Sequence, residues 1–263
     1  MKPRTVGIIQ ARMAASRLPG KVLKNIAGEP MLVRVFERTR LSTSLDDILV
    51  ATTIEPPDDA IETLCLKREY PCFRGDNFDV LDRYYRAASY ANAEIVVRIT
   101  ADCPVIDPGV IDRTVNSFLG FESNGIPITE PYDFAANRLP PPWSRTFPIG
   151  LDTEVVSFQN LELAWKQADQ KHQREHVMPF FYEQPDRFRI CHVSFKQNYG
   201  SFRWTVDTPA DLDLLRVIYS RFPGRADFSW LEIIDLFQRE PELFQINAEV
   251  QAKDYRQVDQ RLS

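Results

Sequence analysis

Val6-Gly-Ile-Ile-Gln-Ala-Arg-Met-Ala-Ala-Ser-Arg-Leu-Pro-Gly-Lys21 is the stretch on which the architecture turns. Its first four residues form a short apolar run that predicts a buried strand, and a polar loop follows at once. Downstream, apolar residues return alternately in strand-length runs and at helical spacing. Strands are expected at residues 48–54 and 94–100. Helices are expected at 30–41, where Leu32, Val35 and Phe36 share a stripe and Pro30 suits a first turn, then from Pro57 through Leu64, at 79–91 and at 108–119. Such alternation means βαβ units. The expected fold class is α/β, a three-layer Rossmann-like arrangement of a mostly parallel sheet with helices on both faces.

Between residues 125 and 150 the pattern loosens, with prolines at Pro127, Pro131, Pro140, Pro141, Pro142 and Pro148 and one strand expected near 133–137. An irregular stretch of this kind in an enzyme suits a lid or second-substrate segment. Regular structure resumes with strands expected at 153–158, 188–194 and 202–206. Helices are expected through Gln170, near Val177, at 209–222 and from Ser229. No repeat divides the chain, so residues 1–263 read as one domain with 125–200 as an inserted segment.

Bulk properties narrow the function classes. Hydrophobic residues make up 44% of the 263, enough for a sizeable core, and 26% are charged. A net charge of −5 argues against a general nucleic-acid or anionic-membrane binder. Nothing resembles a secretory signal, and no apolar run is long enough to span a bilayer. Cys65, Cys72, Cys103 and Cys191 include no C-x-x-C pair and read as reduced thiols of a cytoplasmic protein.

In an open parallel sheet, ligands bind beyond the carboxyl ends of the strands. The loop after the first strand lies there and carries Arg12, Arg17 and Lys21, with Ala14, Ala15, Ser16 and Gly20 between them. Small residues let backbone N–H groups approach an anion, and the cations offset its charge, so the loop suits a phosphate chain. The plainer alternative is a solvated basic loop. Neither a G-x-x-x-x-G-K-[ST] nor a G-x-G-x-x-G pattern is present. Two further strands end in aspartates ahead of a proline, Asp102 and Asp207. Magnesium takes one or two carboxylates plus substrate phosphates, so these two could share an ion if their strands are close. Alternatively Asp102 is a turn residue and Asp207 the N-cap of the helix at Pro209. His172 and His176, with Cys191 or His192, form a weaker zinc alternative.

At these residues the sequence resembles the spore-coat polysaccharide cytidylyltransferase family (SpsF-like), and more distantly the CMP-KDO and CMP-sialic acid synthetases. The likeness runs through residues 8–13 and 16–23, 47–53, Gly75 with 79–84, Val97-Arg-Ile-Thr-Ala-Asp-Cys-Pro104, 150–155, 174–177 and Trp204-Thr-Val-Asp-Thr-Pro-Ala-Asp211. It implies a nucleotide-sugar transferase fold with a dimerising, acceptor-side insertion, a homodimer, CTP as substrate and Mg2+ as cofactor. By the same match Arg12 and Lys21 would bind the triphosphate with help from Arg17, and Asp102 and Asp207 would hold the metal. Gln10, Ala11, Ser16, Arg74, Gly75, Asp82, Arg83 and Thr100 would complete the nucleotide site. Asp152, Glu154, Arg174, Glu175 and His176 would face a sugar-type acceptor, with His176 a candidate base. Gln10 stands where relatives that activate keto-acid sugars often carry proline, which leaves the acceptor open.

Two other functions remain: a glycosyltransferase using a nucleotide-sugar donor, and a non-catalytic nucleotide-binding module. The first usually shows a D-x-D motif, whereas Asp102 is followed by Cys103 and Pro104. Phe134, Trp143, Phe147, Phe180, Phe181 and Tyr182 read as core or as an acceptor wall, and the run from Phe180 as a dimer contact.

Overall fold

The computed structural model describes residues 2–120, 132–141 and 143–251. The chain opens with β1 (Thr5–Gln10), the short pair β2 (Asn25–Ile26) and β3 (Glu29–Pro30), and α1 (Met31–Thr39). It continues through β4 (Asp47–Thr53), α2 (Asp59–Arg68), β5 (Cys72–Gly75), α3 (Val80–Tyr90), β6 (Ile95–Thr100) and α4 (Pro108–Phe118). The second half adds β7 (Phe134–Ala136), β8 (Glu154–Ser157), α5 (Phe158–Gln167), α6 (Lys171–His176), α7 (Pro179–Tyr182), β9 (Ile190–His192), α8 (Pro209–Ser220) and α9 (Trp230–Arg239).

Among the described residues the main sheet has the order β5-β4-β1-β6-β8-β7-β9. Every neighbouring pair is parallel except those that include β8, which runs against both β6 and β7. The carboxyl ends of β1, β4, β6 and β7 and the amino end of β8 therefore share one edge. Side chains alternate across the strands, and both faces are covered. Val6, Ile8, Leu49 and Val96 pack with Leu81 and Tyr84 of α3 and Leu161 of α5. Ile9, Val50, Val97 and Ile99 pack with α1, α4, α8 and α9. Each such buried aliphatic contributes about 1.5–3 kcal/mol, which fixes the central strands and hence their loops.

Three expectations need correction. Residues 202–206 form no strand beyond an isolated bridge between Ile149 and Arg203. Their backbone bonds are divided: Ile149 N–H donates to Phe202 O, Trp204 N–H to Ile149 O, and Val206 N–H to Asp102 O. No single neighbour offers a continuous ladder. The helix expected through Gln170 ends at Gln167. The helix expected near Val177 is split there, because Val177 takes φ 70° and breaks the run into α6 and α7. Within the proline-rich stretch, residues 121–131 and 142 lie outside the described residues.

Of the aromatics that read as core or as an acceptor wall, Phe134, Phe147, Phe180, Phe181 and Tyr182 are core. Phe180, Phe181 and Tyr182 are buried, with Phe181 stacked on Phe134 at 5.6 Å and edge-on to Phe188 at 5.1 Å. Phe147 packs against Phe195 and Trp230.

Candidate active site

The loop after β1 is pinned at both ends. Ala11 N–H donates to Ala51 O at 3.1 Å, and Met13 N–H donates to Asp58 Oδ1 at 2.7 Å. Asp58 is buried and also accepts from the Thr53 hydroxyl, so the end of β4 holds the loop in place. The loop then folds on itself, with Ala15 N–H and Gly20 N–H both donating to Met13 O at 2.9 Å. Gly20 sits at φ 68°, a left-handed conformation that glycine adopts without strain, and it starts the turn that aims Lys21 inward.

Lys21 is the centre of the site. Its ammonium donates to Asp102 Oδ2 at 2.7 Å, Val206 O at 2.7 Å and Asp207 Oδ1 at 2.9 Å. Asp102 leaves β6, and its other oxygen accepts from the Thr100 hydroxyl at 2.6 Å. Asp207 also takes Arg17 at 2.9 Å and Arg203 at 2.6 Å on Oδ2. Arg17 further donates to Gln251 O at 3.0 Å. The basic loop and the two distant carboxylates thus meet in one place.

Asp207 is available because a neighbour caps the helix. The N-cap of α8 is Thr208, in a reciprocal capping box with Asp211. Asp211 is fully buried and accepts from Arg203, from the backbone N–H of Asp207 and from Asn247. The segment carrying Asp207 is also clamped from the other side. A Cβ on Gly150, at φ 108°, would lie 2.7 Å from the backbone of Trp204 and Thr205, so only glycine allows this approach.

The electrostatics follow from the pairing. Burial works against the charge on Lys21, but Asp102 and Asp207 outweigh it and hold the ammonium above its ordinary pKa. Burial likewise opposes ionisation of Asp102, yet Lys21 and the Thr100 hydroxyl keep its carboxyl below the usual value. Burial, with Asp102 adding, pushes the Cys103 thiol well up, so it stays protonated. The site is pre-charged, with its cations and carboxylates already held against one another.

Other expected residues fall into two groups. Gln10 and Thr100 end adjacent strands, with Ala101 N–H donating to Gln10 O at 3.0 Å. Arg12 is half-buried, Ser16 is exposed on the same loop, and Arg83 is buried near enough to Arg12 for their charges to repel. Burial lowers the Arg83 pKa to about 10. Its Nη1 donates to Asp76 O, while its Nε and Nη2 are buried without a partner. Gly75 packs against the Arg83 stem, where a Cβ would lie 3.0 Å from Arg83 Cγ.

Arg74, Asp82 and Arg174 are turned elsewhere. Arg74 binds Thr53 O, Glu55 O, Glu62 and Asp59, tying β5 to the start of α2. Asp82 accepts from Trp165 Nε1 at 2.8 Å and Arg86 at 2.7 Å, joining α3 to α5. Arg174 grips Asp79, the N-cap of α3, and Trp165 O. These three are framework contacts in this structure, and Glu175 and His176 sit half-buried on the same short helix α6. His172 pairs with Glu183 at 2.8 Å, and among the described residues no group of three or more His, Cys, Asp or Glu gathers as metal ligands, which leaves the zinc alternative without a site.

Beyond Asp102 along the sheet edge lies a second charged cluster. Glu154, buried at the start of β8, pairs with Arg98 of β6. Asp152 pairs with Arg145 at 2.5 and 3.1 Å. Arg138 stands 3.9 Å from Glu154 Oε1. Burial opposes ionisation of Asp152, but Arg145, then Arg138 and Arg98, hold its carboxyl below the usual range. Sequence reasoning picked out Asp152 and Glu154 but missed their arginines, along with Asp58 and Arg203. Arg98, four residues before Asp102 in a strand otherwise apolar to Ile99, was the available signal.

A mostly parallel sheet whose edge gathers a cationic loop and two carboxylates around one lysine is the arrangement of a nucleotidyltransferase. The cytidylyltransferase family model matches residues 6–219, and the chain belongs to that family. It is 35% identical over 260 residues to an uncharacterized protein of Methanocaldococcus jannaschii, covering 98% of this chain and 100% of that one. It is 28% identical over 242 residues to the spore coat polysaccharide biosynthesis protein SpsF of Bacillus subtilis, covering 89% and 94%. Among solved structures, a cytidylyltransferase from Leptospira borgpetersenii superposes with a TM-score of 0.83 at 28% identity, covering 96% of this chain and 100% of that one.

Proposed function

We propose that the protein transfers CMP from CTP to a sugar-type acid of the nonulosonic or KDO-like class, releasing pyrophosphate, as a step in surface polysaccharide biosynthesis. The observation that carries this reading is the meeting of Lys21 with Asp102 and Asp207 at under 3 Å on the working edge of the sheet. An acceptor hydroxyl oxygen attacks the α-phosphorus, a new P–O bond forms, the bond to the β-phosphate oxygen breaks, and the hydroxyl proton passes to water. Arg12, Arg17 and Lys21 neutralise the triphosphate and the departing pyrophosphate. Positioning and charge neutralisation supply most of the rate.

Mg2+ fits the residues present. Two carboxylates converge on a single cation position, occupied here by the Lys21 ammonium, and Mg2+ takes one or two carboxylates together with substrate phosphates. Asp102 and Asp207 would hold the ion, which neutralises phosphate charge when bound. The reading extends to a cytoplasmic homodimer. All four cysteines are free thiols, and among the described residues no helix is long and apolar enough to cross a membrane.

Pyrophosphate release with CTP, Mg2+ and a panel of sugar acids tests the assignment, and turnover dependent on all three is expected. Hydrolysis of a nucleotide-sugar donor without pyrophosphate would place the chain among glycosyltransferases instead. Nucleotide binding with no turnover of any acceptor would make it a binding module. Light scattering during size exclusion reads the oligomeric state.

A further inference from the structure

Asp207 follows a stretch that no β-ladder holds. Residues 202–206 meet their neighbours at single points, so the placement of the carboxylate depends on what grips the segment from either side. On one side stand Ile149, Gly150 and Asp102. On the other a single amide does the gripping. Asn247 Nδ2 donates to Arg203 O at 3.1 Å and to Asp211 Oδ1 at 2.9 Å. These acceptors lie four residues before and four residues after Asp207, and an asparagine amide has two N–H donors to give them.

Among the described residues, the other donors to the Asp211 carboxylate are Arg203, the Asp207 N–H and Thr208. All belong to the same turn, so these bonds shape it without bringing in another element. Asn247 brings one, from thirty-six positions away. Its own place is fixed by packing. It is 8% exposed and follows the short 3-10 helix Pro241–Gln245, whose Leu243 is buried. The Phe244 ring of that helix lies 4.7 Å from Phe202 and 5.0 Å from Phe237. Further on, Gln251 O accepts from Arg17 at 3.0 Å, so this stretch runs from the far side of Asp207 to the basic loop.

We propose that Asn247 is a positioning residue for the transfer: by stapling Arg203 to Asp211 it sets the direction in which the Asp207 carboxylate is presented beside Asp102. The proposal rests on the cytidylyl-transfer reading and adds the stretch after α9 to the machinery of the site. Asn247 acts through Arg203, whose Nη2 donates to Asp207 Oδ2 at 2.6 Å, and through Asp211, which accepts from the Asp207 N–H at 3.0 Å. Without the amide, Arg203 O and Asp211 Oδ1 each lose a donor, and the turn between them can open. A site that shares an ion between two carboxylates is sensitive to such a shift, because a misplacement of about 1 Å can cost on the order of a hundredfold.

The test reads metal affinity, independently of turnover, in the full chain. Mn2+ stands in for Mg2+, and its binding is followed by electron paramagnetic resonance with protein in excess over α,β-methylene CTP. In Asn247→Ala the Mn2+ Kd rises roughly tenfold, as expected for two lost hydrogen bonds, while the Kd of the nucleotide analogue in EDTA stays within about threefold. Asn247→Asp has the same shape with no N–H to give, and weakens Mn2+ binding at least as much. Asn247→Gln keeps the amide and recovers part of the loss. Ser229→Ala is the stability control: it removes the N-cap of α9, lowers Tm and leaves Mn2+ affinity unchanged. Should Asn247→Ala fail to fold, Asn247→Gln against Asn247→Asp gives the same comparison. Mn2+ affinity at the wild-type value in the Asn247 variants, or weakened equally in Ser229→Ala, overturns the proposal and leaves the transfer reading standing. A wild type that does not bind the CTP analogue overturns the transfer reading, and this inference with it.

Discussion

Lys21 does three things with one ammonium: it binds two carboxylates, and through Val206 O it fixes the backbone between them. Replacing it with methionine keeps the bulk and leaves Asp102 and Asp207 as facing like charges. Lys21→Met should lower kcat/KM at least a hundredfold, about 3 kcal/mol of lost transition-state stabilisation, with unchanged far-UV circular dichroism. Asp102→Asn should do the same, because an amide neither balances Lys21 nor presents an anionic oxygen. Near wild-type turnover in either variant would remove that residue from the site. This convergence was legible in part, because the Lys21 loop and Asp102 follow strand carboxyl ends, where a parallel sheet gathers its loops, whereas Asp207 follows an irregular segment. The fates of Arg74, Asp82 and Arg174 were not. Arg174 finds Asp79 ninety-five positions away, and no spacing rule reveals which carboxylate a long guanidinium will choose.

Elements decide whether Asp207 is free to act. The cap of α8 is a threonine, and its partner Asp211 is buried against Arg203. Thr208→Ala should cost about 1 kcal/mol of stability, read by denaturant unfolding. Asp211→Ala should cost more, about 2–4 kcal/mol, because the Asp207 N–H and the Asn247 amide lose their buried acceptor and Arg203 keeps only Asp207. Gly150→Ala tests the clamp on the other side. Its Cβ would press on the backbone of Thr205, displacing Val206 and Asp207, so activity should fall together with stability. Full activity in that variant would show that the close approach has no bearing on the site. The helices and parallel strands were readable from their periods, whereas Phe202-Arg-Trp-Thr-Val206 imitated a strand. A buried irregular segment carries the same apolar, β-branched composition, and only the divided hydrogen bonds of its neighbours tell them apart.

Across the whole molecule, stability should follow the paired carboxylates. Asp102, Asp112, Asp152 and Asp211 are each pushed up by burial, but their partners outweigh it and hold them below the ordinary 3.8. In the unfolded chain they take up protons at higher pH than in the folded one. Their stabilisation is therefore full above pH 3.8 and drains away as pH falls through the lower folded values. His192, lowered from 6.5 by burial, favours its neutral form and adds an earlier, smaller loss below pH 6.5. Thermal melts between pH 8 and 3 should show a Tm that declines gently below 6.5 and steeply below about 4. A Tm that holds or rises on acidification below 4 would contradict the paired state of these groups.

The reversal of β8 has a further effect on how such a catalyst can diversify. Because one strand runs backwards, a single excursion that leaves at Ala136 and returns at Glu154 joins β7 to β8 on the working edge. Nothing in the connections among β1, β4, β5 and β6 passes through it. Lengthening, shortening or recharging the part of it ahead of Ile149 leaves the basic loop after β1 threaded as before, provided Ile149 and Gly150 keep their hold on residues 202–205. A lineage can reshape that stretch while the cluster around Lys21 is inherited intact.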